Sequence, residues 1–192
     1  MCIRDSPRPV QNPHPPIYVA CFSEPTLRFA ARAGFNVIFA PFAAAMMFGS
    51  LQNAVQEFRK ESEAAGHVGL KAMCSYFVNV TYNKRETRET KERLLRYFQG
   101  ILPAFPSDRT TAPPHISYFV DIVEQMQTMN TGDLGGRSII TGSPEDCLKV
   151  LLDSEKAGIE EVILYFGFGG WDHSETMKSM ERVAKELSPH FA

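Results

Sequence analysis

The sequence has no apolar run long enough to cross a bilayer. Its longest, Val37–Phe48 (VIFAPFAAAMMF), is interrupted by Pro41 and falls short of the roughly 18 residues a span needs. No secretory leader is expected at this N-terminus either. The N-terminal segment SPRPVQNPHPP is polar and proline-rich, where a signal peptide would carry about 7–15 apolar residues. There is no excess of cations: 20 Lys+Arg stand against 22 Asp+Glu, for a formal net charge of −2. That balance excludes the basic surface of a nucleic-acid binder. Cys2, Cys21, Cys74 and Cys147 form no Cys-x-x-Cys pair. They read as reduced thiols of a cytoplasmic protein, not as a disulfide framework. His14, His67, His115, His173 and His190 have no ligand partner four residues on, so no metal site is expected. Neither a P-loop nor a GxGxxG fingerprint occurs.

What remains is a chain of 192 residues, 44% hydrophobic and 22% charged, enough for one domain with a real core. Strand-like and helix-like segments alternate. Pro15 and Pro16 bias the chain toward extended structure before Ile17–Cys21. A helix follows, capped by Ser23 and stopped by Gly34. Val37–Ala40 reads as a second strand ended by Pro41, and Leu51 to Ala65 as a second helix closed by Gly66. Lys71–Thr81 and Glu161–Phe166 supply two more strands. Cys21 and Cys74 lie within such runs, where a buried, inert thiol is expected. The segment GSPEDCLKVLLDSEKAG is a helix with Ser143 as cap, Pro144 in its first position, and Glu145 and Asp146 at the positive dipole end. A last helix spans Ser174 to Leu187. Near-continuous apolar strands between amphipathic helices predict an α/β fold with a parallel, helix-covered sheet.

Two stretches break this pattern. Between residues 82 and 137 a charged helix, a loop, the helix HISYFVDIVEQMQTM and a further loop intervene. An insertion this long is either a lid over a site or a helical elaboration. Its charged start, NKRETRETKER, mixes both signs and reads as a solvated helix face. The other break is Met1–Ser6, which carries no apolar period, cap or strand. Back-translated, MCIRDS matches the end of a common transposon-based sequencing adapter. It is expected to be a non-native leader (residues 1–6) joined to residues 7–192 of a truncated reading frame.

Three motifs, in order, carry a resemblance. PHPPIYVACFSEPTLRFAARAGFNVIFAP places a proline-led strand before Ser23-x-x-Thr26, then Ala30-Ala31 and Gly34. GSPEDCLKVLLDSEKAGIEEVILYFGFGG and the ending HSETMKSMERVAKELSPHF complete it. Together they resemble the luciferase-like family of flavin-dependent monooxygenases. The resemblance implies the C-terminal half of a (β/α)8 TIM barrel, with the helical insertion after the third strand present. It implies an enzyme that uses reduced FMN and O2 on a small organic substrate, with a possible flavin reductase partner and homo-oligomers. Alternatives on the same fold are a reductase or dehydrogenase using the deazaflavin F420, and a non-catalytic flavin-binding or dimerisation barrel. As a fragment, the chain is expected to be inactive, with its catalytic residues elsewhere.

The candidate site is CFSEPT. Unpaired N–H groups and a positive dipole end make a helix start a phosphate site, and Ser23 and Thr26 add hydroxyls. Ser23 could equally be only a cap. The resemblance places the flavin phosphate on Ser23 and Thr26, with Cys21 and Phe22 just before them. TGSPED reads as a cap, GFGG as a tight turn or a close approach to a ring, and His173 as a surface or capping residue. Glu160-Glu161 reads as structural, and AAAMMF as core packing or a pocket wall.

Overall fold

Apolar runs bounded by proline and glycine become parallel strands, and the amphipathic segments between them become helices. The computed structural model describes residues 9–191; Met1–Ser6, the expected leader, and Cys2 within it lie outside the described residues. The strands are β1 (Tyr18–Cys21), β2 (Asn36–Phe39), β3 (Ala72–Val80), β4 (Ile139–Gly142) and β5 (Glu161–Tyr165). The helices are α1 (Glu24–Ala33), α2 (Pro41–Phe48), α3 (Leu51–Ala64), α4 (Lys84–Ile101), α5 (Phe119–Thr128), α6 (Pro144–Lys156) and α7 (His173–Glu186).

All pairings are parallel. β1 joins β2, and β2 joins the start of β3 at Ala72–Cys74. β3 is long enough to hold two further partners. Met73–Phe77 pair with β5, and Phe77–Val80 with β4. The four-strand expectation is therefore corrected to five among the described residues. β4 escapes sequence reading because only Ile139 and Ile140 are apolar before Thr141 and Gly142 run into the cap of α6. The second correction is α2. Pro41 does end β2, but it also opens a helix, since its fixed φ suits a first position. α5 begins at Phe119, after a short 3-10 turn over Pro114–Ile116, and not at His115.

The two expected caps form: Ser23 accepts a first-turn backbone N–H, and Ser143 with Asp146 makes a full capping box. The structure adds Ser50, Asn83 and Asp172, each of which accepts a first-turn backbone N–H. Gly34 closes α1 at φ 75, a left-handed turn that a side chain would strain.

Alternation along β3 sets the two faces of the sheet. Ala72, Cys74, Tyr76, Val78 and Val80 are buried in the main core. There Tyr76 hydrogen-bonds Ser154 of α6 at 3.1 Å. Burying a side chain such as Phe39 or Phe58 contributes about 1.5–3 kcal/mol. Met73, Ser75 and Phe77 point the other way and are only half-buried. A second cluster forms on that side, where Leu94, Phe98, Leu134, Ile139 and Phe168 pack with Phe77, Tyr97 and Trp171. The insertion is thus docked on the sheet through its own small core. Glu160 and Glu161 pair with Arg59 (3.0 Å) and Lys71 (3.1 Å), a structural role as expected. No described helix is long and apolar enough to cross a membrane.

Candidate functional site

β1 delivers the chain to the C-terminal edge of the sheet, and the next four residues build the turn. The Cys21 side chain faces the helix-covered core, 4% exposed. Burial pushes its thiol up to about 12. Any contact it makes with a ligand at the sheet edge is therefore through its backbone. Phe22 turns the opposite way and lines an apolar cavity, its ring 6.0 Å from that of Phe119.

Ser23 then adopts extended backbone and caps α1, its Oγ accepting from the Thr26 N–H at 3.4 Å. The two hydroxyl oxygens are 2.9 Å apart. The sequence thus brings together two of its predicted residues as one hydroxyl pair on the first turn of a helix. Glu24 does not occupy this turn electrostatically as a free carboxylate, because Arg28 pairs with it. A helix start with two hydroxyls and a neutralised acid fits a phosphate.

The cavity beside Phe22 measures about 460 Å³. Its floor is Phe22, Ala40 and Pro41 at the strand ends, with Ser75 and Phe77 on β3. Its roof is the insertion: Tyr97, Phe98, Ile101 and Phe105 after β3, then Phe119, Ile122 and Met126 of α5. Arg137 and Ser138 add the few polar groups. Phe77 is the hub, with edge contacts to Tyr97, Phe98, Tyr165 and Phe168 at 5.3 to 5.6 Å. Edge-to-face pairs of this kind add about 0.5–1.5 kcal/mol beyond area burial. Burial, then the neighbouring Tyr165 phenol, raises the Tyr97 hydroxyl.

The sequence did not announce this roof. One signal was present: Leu94, Tyr97, Phe98 and Ile101 repeat at helical spacing at the end of an otherwise charged helix. Ala43 of the AAAMMF segment lines the cavity, next to Phe42 just before it, while Ala43 and Ala44 are buried, so that segment does both.

The remaining candidates are structural. TGSPED is consumed by its capping box. The GFGG turn makes its close approach to the α4 backbone: a Cβ on Gly169 would lie 2.7 Å from the Arg93 carbonyl oxygen. Arg93 in turn donates to the carbonyls of Gly169 and Gly170 and stacks over Trp171 at 4.2 Å. His173 is an exposed first residue of α7, whose cap is Asp172. His67 donates to the Arg32 carbonyl at 3.1 Å. Among the described residues no group of three His, Cys, Asp or Glu side chains could hold a metal ion.

A parallel α/β sheet with its cavity and the Ser23–Thr26 turn at the C-terminal strand ends is the arrangement of a (β/α)8 barrel. Residues 2–161 match the luciferase-like monooxygenase family. The chain belongs to that family. No curated protein matches the sequence. Solved structures share the fold at low identity. The monooxygenase RslO1 from Streptomyces bottropensis superposes with a TM-score of 0.68 at 22% identity, over 97% of this chain and 51% of that one. The oxygenating constituent of 3,6-diketocamphane monooxygenase from Pseudomonas putida, in complex with FMN, gives 0.59 at 17%, over 92% and 49%. The coenzyme F420-dependent tetrahydromethanopterin reductase from Methanopyrus kandleri gives 0.57 at 15%, over 92% and 51%. The chain spans about half the length of these structures, and its fold is a partial TIM barrel.

Proposed function

We propose that this chain forms the flavin-phosphate turn and the roofed substrate pocket of a flavin-dependent monooxygenase. The observation that carries this is the hydroxyl pair Ser23–Thr26 on the α1 start, one residue from Phe22 in the apolar cavity. Family membership supports FMN as the group held there. When bound with O2, reduced flavin supplies the oxidising chemistry, and the protein's share is to bind, orient and exclude water.

Each part of the chain has a task in this reading. Ser23 and Thr26 donate hydroxyl hydrogen bonds to phosphate oxygens beside the N–H groups of the first turn. Phe22 and the backbone of Cys21 lead from that turn to the cavity. The cavity takes a small organic substrate of low polarity, because its walls offer few hydrogen-bonding groups. Residues 82–137 act as a lid: α4 and α5 already roof the cavity, and excluding water there strengthens every polar contact inside. A separate flavin reductase is the source of reduced cofactor.

The F420-dependent neighbours support a second reading, a deazaflavin reductase on the same fold. One experiment separates them. In a barrel completed by further strands, reduced FMN should support oxygen uptake that an apolar substrate accelerates. Oxygen uptake that is absent with FMN, together with hydride transfer from reduced deazaflavin, would replace the first reading with the second.

A further inference from the structure

The charged start of α4 mixes both signs in sequence but sorts them in space. Lys84, Arg88 and Lys91 are spaced i, i+4 and i+7, so they share one helix face. Together they line a cleft of about 550 Å³. The acids Glu86 and Glu89 line a different one, beside Lys178 and Arg182 of α7. Arg88 reaches Glu92 only at 3.8 Å. Among the described residues no carboxylate pairs with Lys84 or Lys91, and Lys91 is half-buried.

The floor of this cleft is the C-terminal end of β4 and the residue just past β3: Thr141, Gly142 and Thr81. Thr141 stands on the same face of β4 as Ile139, which packs against Leu94 and Phe98 of α4. Its Oγ1 is buried and has no hydrogen-bond partner among the described residues. A buried hydroxyl left so costs stability until something accepts from it. Thr81 and Thr87, by contrast, bond each other at 2.6 Å. The acid that lines the cleft, Asp146, is already engaged. Its Oδ2 accepts from the N–H and the hydroxyl of Ser143 at 3.2 and 3.0 Å.

We propose that this cleft binds the phosphoryl group of a small molecule, at a site separate from the flavin turn. Its uncommitted groups are all donors: the Lys84 and Lys91 ammoniums, the Arg88 guanidinium and the Thr141 hydroxyl. A phosphoryl group brings three strong acceptor oxygens and up to two negative charges, enough for all four donors and for the partner that Thr141 lacks. A carboxylate brings only two oxygens and one charge. Tyr82, 55% exposed, lines the same cleft and offers an aromatic surface to the organic part of a phosphate ester. The cleft shares no residue with the Ser23–Thr26 turn or with the apolar cavity. It lies at the start of α4, whereas the cavity is roofed by Tyr97, Phe98 and Ile101 at its end. Both positions are at the C-terminal ends of strands, where α/β sheets hold their ligands.

The probes are inorganic phosphate and phenyl phosphate, titrated calorimetrically into the completed barrel at fixed ionic strength. Both should bind. Lys91→Gln keeps helix propensity and Thr141→Val suits a strand, so each variant should melt as the parent does. Each should weaken both probes by about tenfold or more, the loss of a hydrogen bond to a charged group. Thr26→Ala should leave this binding intact, so failure here is distinct from failure of the flavin assignment. Tighter binding of phenyl phosphate, with Tyr82→Ala erasing the difference, identifies an ester as the ligand. Equal affinities identify free phosphate. Three results would overturn the proposal. One is no binding of either probe. Another is binding lost in Thr26→Ala but kept in Lys91→Gln and Thr141→Val. The last is weakening by Lys91→Gln alone, which marks diffuse attraction to a cationic face.

Discussion

At the scale of single residues, burial decides chemistry in this chain. Cys21, Cys74 and Cys147 are free, buried thiols, each pushed up to about 12 by burial. They stay protonated where an exposed thiol ionises and reacts. In a Cys2→Ser background, a thiol reagent at mildly alkaline pH should label none of the three until denaturant is added. Prompt labelling of any one would show it exposed. The same burial sets a pH dependence. Between pH 9.0 and about 12 the folded chain keeps the Cys74 proton that the unfolded chain releases. Unfolding in that window liberates protons, so stability is complete below pH 9.0 and declines as pH rises through it. Tyr76, raised from 10.0 to about 12 by burial, acts in the same direction. The melting temperature should therefore fall above pH 9.0, and a flat or rising profile there would contradict the buried placement.

At the scale of elements, two further contacts add to the small apolar core that docks the insertion on the sheet. Asn79 of β3 donates to Thr90 of α4 at 2.7 Å, and both are buried. Thr90→Val should leave the amide without its acceptor and destabilise the chain by about 1–3 kcal/mol in chemical denaturation. The other contact is the GFGG turn against Arg93. Gly169 sits at φ 63 with the Arg93 carbonyl where a Cβ would go, so Gly169→Ala must open the turn or shift α4. It should cost more than about 1 kcal/mol, whereas Gly170→Ala, with open space around it, carries only the backbone strain. Equal effects of the two alanines would remove the steric argument.

These elements also show what the sequence could disclose. Among the described residues, five of the seven α-helices announce themselves through periodicity and side-chain caps such as Ser23 and Ser143. α2 does not, because PFAAAMMF is apolar all round and carries no side-chain cap. α5 was visible as a helix, but not its start, since Tyr118 makes no capping hydrogen bond. β4 hides because its four residues gain strand character only from their place beside β3. The site divides along the same line. The Ser23–Thr26 turn is local and can be read from six residues. The cavity is assembled from residues as far apart as Phe22, Phe77 and Met126, a convergence no local pattern encodes.

At the scale of the whole molecule, one sheet face is packed by helices and the other is partly roofed by the insertion. Among the described residues, β1 pairs only with β2 and β5 only with β3. We propose that these features form a barrel segment that holds the phosphate of a flavin at one strand end and an apolar substrate beside it. Thr26→Ala tests that claim most directly, because Ser23→Ala would also remove the α1 cap, worth about 1 kcal/mol. A hydrogen bond to a charged group is worth about 1.5–3 kcal/mol, so its loss should weaken binding by about ten- to a hundredfold. The measurement is the affinity of the completed barrel for FMN and for riboflavin, in the parent and in Thr26→Ala. FMN binding should weaken by that factor while riboflavin binding is unchanged. Equal weakening of both, or of neither, would mean that the phosphate is not held on this turn.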